Sequence, residues 1–134
     1  MTPLVVDASV AVKWLTDEVD SDAAGALLDG RYELLVPAHF HSELANALVS
    51  KVRRRELTAE AAEIAAARIV TLPLDVQEIA PLVPAAVSFA MALNLSVYDA
   101  LYLALAVQQG CQCVTADRRL YASARPGTVR LLVS

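Results

Sequence analysis

Short runs of β-branched residues and leucine alternate along the chain with stretches whose apolar positions return every three to four residues. That is the pattern of buried strands separated by amphipathic helices. Leu4 to Val6 is predicted as a first strand ending at Asp7, with a helix following through Leu15. Ser21 to Leu28 has helical spacing, Glu33 to Val36 forms a second strand, and Pro37 ends it. From Phe40 to about Arg54 the spacing of Leu44, Ala47, Leu48 and Val52 is helical, and the basic run KVRRRE closes that helix. Thr58 is placed as the N-cap of an alanine-rich helix reaching Ile69, and Leu72 to Val76 fits neither period, reading as a short extended piece at most. Helices are predicted over Gln77 to Leu93 and Tyr98 to Gln108, with Gly110 as the stop. Cys111 to Val114 is a third strand, Asp117 to Ala122 a short helix, and Val129 to Val133 the last strand. Strands alternating with helices imply an α/β domain with a mainly parallel sheet covered on both faces.

A chain of 134 residues, 57% of them hydrophobic, has the size and apolar content of one domain spanning residues 1–134. A net charge of -4 argues against a protein that coats DNA through global positive charge, and is compatible with an acidic metal site. The N-terminus enters a strand at once, without the basic and apolar regions of a signal peptide, so a cytoplasmic location is expected. The stretch Ile79 to Tyr98 is uncharged and as long as a membrane span, but Pro81, Pro84, Asn94 and Ser96 interrupt it. It reads as a buried alanine-rich helix, with no membrane role. Cys111 and Cys113 read as a small buried thiol pair on one face of a strand. His39 and His41 lack zinc-finger spacing, which favours packing over a zinc site.

The chemistry-bearing pattern is acidic. Asp7, Glu43, Asp99 and Asp117 each stand where a strand or loop gives way to a helix. Taken singly, Asp7 and Asp117 are readable as helix caps or first-turn charges, and Asp99 as the end of a capping box begun by Ser96. Taken together they fall where a parallel α/β topology gathers residues, along the carboxyl ends of the strands. Carboxylates about 4 Å apart repel by roughly 4 kcal/mol per pair at an effective dielectric near 20, so such a cluster calls for cations. Hard oxygen ligands select Mg²⁺ or Mn²⁺, and a retained water can serve as a nucleophile, which points to a metal-dependent phosphodiesterase.

The phrases VVDASVAVKWL, VPAHFHSELANAL, LSVYDALYLALA and VTADRRLY, in this order, resemble the PIN domain family, and in particular the VapC-type toxins of bacterial toxin-antitoxin pairs. The resemblance implies a three-layer α/β/α sandwich and a Mg²⁺- or Mn²⁺-dependent endoribonuclease that cuts RNA. By position, Asp7, Glu43, Asp99 and Asp117 correspond to the family's acidic cluster, with no departure, and Ser9, Asn46 and Thr115 to the polar residues supporting it. Asp7 and Asp99 are expected to hold the principal ion, with Glu43 and Asp117 binding through water or placing a second one. A homodimer and a cognate VapB-type antitoxin are implied as partners. Arg118, Arg119 and Lys13 are candidates for RNA contact, whereas KVRRRE suits a solvated helix terminus and Trp14, Tyr98 and Tyr102 suit packing. Two alternatives differ in class. A receiver-like or haloacid-dehalogenase-like domain needs an acidic pair or D-x-D that Asp7-Ala8-Ser9 does not supply. A non-catalytic PIN-like module would bind RNA or a protein and use its acids as caps.

Overall fold

The computed structural model describes residues 1–133. The β-branched and leucine runs become five parallel strands, β1 (Thr2–Val6), β2 (Tyr32–Pro37), β3 (Asp75–Gln77), β4 (Gln112–Thr115) and β5 (Val129–Leu131), in the order β3-β2-β1-β4-β5. Central β1 is sealed on both sides, Leu4 and Val5 lying opposite Leu34 and Leu35 of β2, and Val5 and Val6 opposite Cys113 and Val114 of β4. The chain builds outward from β1 to β3, then returns to the other side of β1 to lay down β4 and β5. The direction reverses between β1 and β4, and in open α/β sheets the carboxyl end of such a reversal is where ligands bind.

Among the described residues seven α-helices surround the sheet: α1 (Ala8–Leu15), α2 (Ser21–Ala26), α3 (Phe40–Arg53), α4 (Ala59–Ile69), α5 (Val83–Leu93), α6 (Val97–Gln109) and α7 (Arg118–Ser123). α6 crosses β1, β2 and β4 with α5 packed upon it, so every residue from Ala100 to Ala106 is buried. α1 lies against β4 and gathers α2 and α3, and α3 carries α4. Phe40, Leu44 and Leu48 form the buried stripe of α3 at four-residue spacing. Each such side chain contributes about 1.5–3 kcal/mol by leaving water. Thr58 caps α4 by accepting from the Ala61 N–H at 3.1 Å, as its sequence position predicts.

Several predicted bounds change. The helix expected over Gln77 to Leu93 is instead the end of β3, a 3₁₀ turn at Ala80–Leu82 and the shorter α5. Pro81 and Pro84 cause the division, because proline has no N–H to donate and is accepted only at the opening of a helical segment. The reading of Ile79 to Tyr98 as a buried helix is also corrected. Ala86 is the one buried residue of α5, Met91 is 76% exposed, and Asn94, in the left-handed conformation with φ 55°, turns the chain into α6. Among the described residues no single helix is long and apolar enough to cross a membrane. The segments Ala80–Leu93 and Val97–Gln109 are bent by 117°. Cys111 precedes β4 and is half-buried while Cys113 is fully buried, so the free thiols do not form a buried pair.

Candidate active site

Asp7 is the first residue past β1, at the reversal point of the sheet. Its backbone carbonyl starts α1, accepting from Val10 and Ala11 at 3.0 and 3.3 Å, but its side chain makes no capping bond. Instead its Oδ2 accepts from Ser9 Oγ of α1 at 2.6 Å and from Thr115 Oγ1 at the end of β4 at 2.7 Å. The two hydroxyls are 3.2 Å apart; Ser9 Oγ also accepts from the Ala116 N–H and Thr115 Oγ1 from the Asp117 N–H, each at 3.0 Å. This lattice ties the end of β1, the start of α1 and the loop after β4 into one rigid corner. Asp7 is only 7% exposed, and among the described residues no lysine or arginine pairs with it. Burial raises its pKa to about 6; the two hydroxyls oppose the rise and the charges of Asp99 and Glu43 add to it.

Glu43 enters from the first turn of α3, and its Oε1 accepts from the Tyr102 hydroxyl at 2.6 Å. His39, one turn earlier, places Nε2 3.3 Å from the same oxygen. Tyr102 is fully buried in α6, and burial followed by the nearby Asp7 and Glu43 charges raises its pKa, which keeps the phenol a donor. Asp99 lies in the first turn of α6, whose cap is Ser96 Oγ accepting from the Asp99 N–H at 3.1 Å. Burial raises the Asp99 pKa, the Glu43 and Asp117 charges raise it further, and hydrogen bonding to Ser96 and the Arg119 guanidinium, 4.0 Å away, oppose the shift. Asp117 behaves as a cap, its Oδ1 accepting from the Arg119 and Leu120 N–H groups at 2.9 and 3.4 Å.

The four acids therefore share one electrostatic field at the carboxyl edge, and their donor set of hard oxygens matches Mg²⁺ or Mn²⁺ better than zinc. Among the described residues no three or more His, Cys, Asp or Glu side chains are placed so that together they could hold a metal ion. Asn46 is exposed and its side chain makes no hydrogen bond among the described residues, so Ser9 and Thr115 do the supporting that the structure displays. Arg118 and Arg119 are exposed beside Asp117, whereas the Lys13 ammonium is drawn to Glu18 Oε1 at 3.2 Å and the Val19 carbonyl at 2.8 Å. Trp14 packs as expected, donating to the Ala24 carbonyl at 2.7 Å, but Tyr98 is 63% exposed and Tyr102 spends its hydroxyl on an acid. Sequence reading assigned Tyr102 and His39 to packing; the one local signal is the spacing of His39, one helical turn before Glu43, whereas Tyr102 bonds an acid 59 residues away. An apolar hollow of about 320 Å³ between α5, α6 and the chain after α7 is lined by none of the four acids.

Fold and site thus define a parallel α/β domain whose ligand edge is dominated by carboxylates. The chain belongs to the PIN domain family, whose model matches residues 4–126. Among solved structures it is similar to PAE2754 from Pyrobaculum aerophilum, with a TM-score of 0.76 and 24% identity over 98% of this chain and 91% of that one. It is also similar to the sarcin-ricin loop cleaving toxin VapC20 of Mycobacterium tuberculosis, with a TM-score of 0.67 and 21% identity over 92% of this chain and 99% of that one. A third likeness is to VapBC2 from Rickettsia felis, bound to a DNA fragment from its promoter, with a TM-score of 0.70 and 12% identity over 97% and 98% of the two chains. At such identities the likeness is one of fold. No curated protein sequence matches the chain.

Proposed function

We propose that the protein is a Mg²⁺- or Mn²⁺-dependent endoribonuclease, the toxin of a type II toxin-antitoxin pair. The observation that carries this reading is the state of Asp7: buried, clamped through Oδ2 by two hydroxyls, within the field of the Asp99 and Glu43 charges and, among the described residues, with no cation to balance it. A carboxylate held this way is costly unless a cation arrives from outside the chain. Bound Mg²⁺ or Mn²⁺ would neutralise the acids and supply an acidified water for in-line attack on an RNA phosphodiester. Asp7 and Asp99 would hold the ion directly, and Glu43 and Asp117 through water or by placing a second ion. Ser9 and Thr115 fix the orientation of Asp7 and keep its second oxygen available. Arg118 and Arg119 supply the phosphate contacts; Lys13, committed to Glu18, has no free ammonium to add.

Membership of the PIN domain family supports a nuclease, and likeness to a VapC toxin and to a VapBC complex supports a VapB-type antitoxin as partner. The exposed apolar residues Val83, Val87 and Met91 at four-residue spacing on α5 support a homodimer, and the two free thiols suit a reducing cytoplasm. The competing reading, a non-catalytic module whose acids are caps, draws support from Asp117 alone. Incubating RNA with the chelator-treated protein, with and without Mn²⁺, decides between them. Cleavage that needs Mn²⁺ and is lost in Asp99→Asn is expected; full cleavage and full metal affinity in Asp99→Asn would overturn the assignment.

A further inference from the structure

Glu43 is gripped from behind. The Tyr102 hydroxyl and His39 Nε2 converge on its Oε1 at 2.6 and 3.3 Å, and the same imidazole nitrogen lies 3.0 Å from the Tyr98 carbonyl oxygen. A carbonyl and a carboxylate only accept, so Nε2 carries the proton. Nδ1 is buried and has no hydrogen-bond partner among the described residues. The imidazole cannot easily swing away, because its ring lies 5.1 Å from that of Tyr102 and 6.1 Å from that of Tyr98. His39 stands at the start of α3 and Tyr98 in the first turn of α6, so this ring joins the helix opening that carries Glu43 to the one that carries Asp99.

The same arrangement occurs at Asp7, where two donors occupy Oδ2 and among the described residues Oδ1 receives none. Glu43 resembles it with different side chains: Oε1 accepts from the Tyr102 hydroxyl with His39 Nε2 3.3 Å away, and among the described residues Oε2 accepts no hydrogen bond. Two acids on separate elements each have one oxygen locked and one open. We propose that His39 and Tyr102 are positioning residues that fix Glu43 through Oε1 and so present Oε2 to a divalent cation or its water shell. This rests on reading the acids as a metal site. Outer hydrogen-bond partners of metal-binding carboxylates act in this way, by orienting a ligand before the ion arrives.

The test is direct measurement of Mn²⁺ affinity by titration of the chelator-treated protein, on Tyr102→Phe and His39→Phe, each alone and in a Glu43→Ala background. Both substitutions keep a ring in place and remove only the donor, and urea unfolding of the metal-free proteins checks that the fold is kept. We expect each to weaken Mn²⁺ binding about tenfold. The loss should vanish when Glu43 is already alanine, and His39→Gln, which returns an N–H near the position of Nε2, should recover most of it. Wild-type affinity in both variants while Glu43→Ala binds weakly would overturn the positioning role and leave the metal site standing. An undiminished loss in the Glu43→Ala background would overturn it too, because the effect would not pass through Glu43. No saturable Mn²⁺ binding by the unsubstituted protein would overturn both the metal reading and the inference built on it.

Discussion

A carboxylate stands near each end of α1, and the two are treated in opposite ways. Beyond its C-terminus, Glu18 receives Lys13 at 3.2 Å, Lys51 at 2.9 Å and the Thr16 hydroxyl at 2.6 Å. Burial pushes the Glu18 pKa up, but these three partners outweigh it and hold the group down to about 2. Before its N-terminus, Asp7 receives two hydroxyls and no cation, and burial wins, lifting it to about 6. Where a carboxylate serves the architecture, the chain provides its counter-charges from α1 and α3. Where the carboxylates gather at the sheet edge, no lysine approaches among the described residues, and the basic groups present are Arg119, 4.0 Å from Asp99, and the His39 imidazole, 3.3 Å from Glu43. What sets that corner apart is burial: among the described residues Asp7 is the one buried acid, and it has no cationic partner.

The comparison breaks most visibly in activity. Asp7→Asn should reduce Mn²⁺-dependent RNA cleavage by at least about 1,000-fold, whereas Glu18→Gln should leave the cleavage rate near wild type. Equal losses in the two would make the acids interchangeable and defeat the distinction.

Stability against pH sharpens it next. The folded pKa of Asp7 lies above its unfolded value of 3.8, so its stabilising proton is present below about pH 4 and lost as pH rises through about 6. Metal-free protein should lose about 3 kcal/mol across that window from Asp7 alone, given a shift from 3.8 to about 6. Glu18 has the opposite sign: its contribution is present above pH 4.5 and lost as pH falls towards 2. Urea unfolding from pH 3 to 8 should show the first slope disappear in Asp7→Asn and persist in Glu18→Gln. At neutral pH, Mn²⁺ at a hundred times its dissociation constant should restore about 2.7 kcal/mol, and should do nothing for Asp7→Asn. Glu18→Gln should cost about 1 kcal/mol of unfolding free energy, since its ion pairs are partly screened by solvent. The smallest effect belongs to Arg118→Ala, for which about a threefold loss of cleavage, a weaker salt dependence and unchanged Mn²⁺ affinity are expected.

The strand runs and Asp7, Glu43, Asp99 and Asp117 were visible in sequence because each rests on a short-range rule: β-branched clustering, a cap position, a charge at a helix opening. What escaped depends on partners distant along the chain. Lys13 looked available for RNA because no periodic pattern announces the turn after α1 that brings Glu18 and the Val19 carbonyl back to it, with Lys51 of α3 meeting the same carboxylate. Tyr102 looked like plain core because its burial is visible in the helical period, while its hydroxyl's partner lies 59 residues away. The helix predicted over Gln77 to Leu93 failed for a local reason, two prolines given too little weight against a continuous apolar pattern.

The sheet ends in very little. Its outermost strands, β3 and β5, are each three residues long, and they carry Asp75, Gln77 and Arg130 among their few positions. Such borders offer almost no ladder of free backbone groups for another chain to extend, and their charges discourage stacking into fibres. A protein that must recognise this molecule is therefore left to grip its helices, and an inhibitor designed as an added strand would find no template on which to dock.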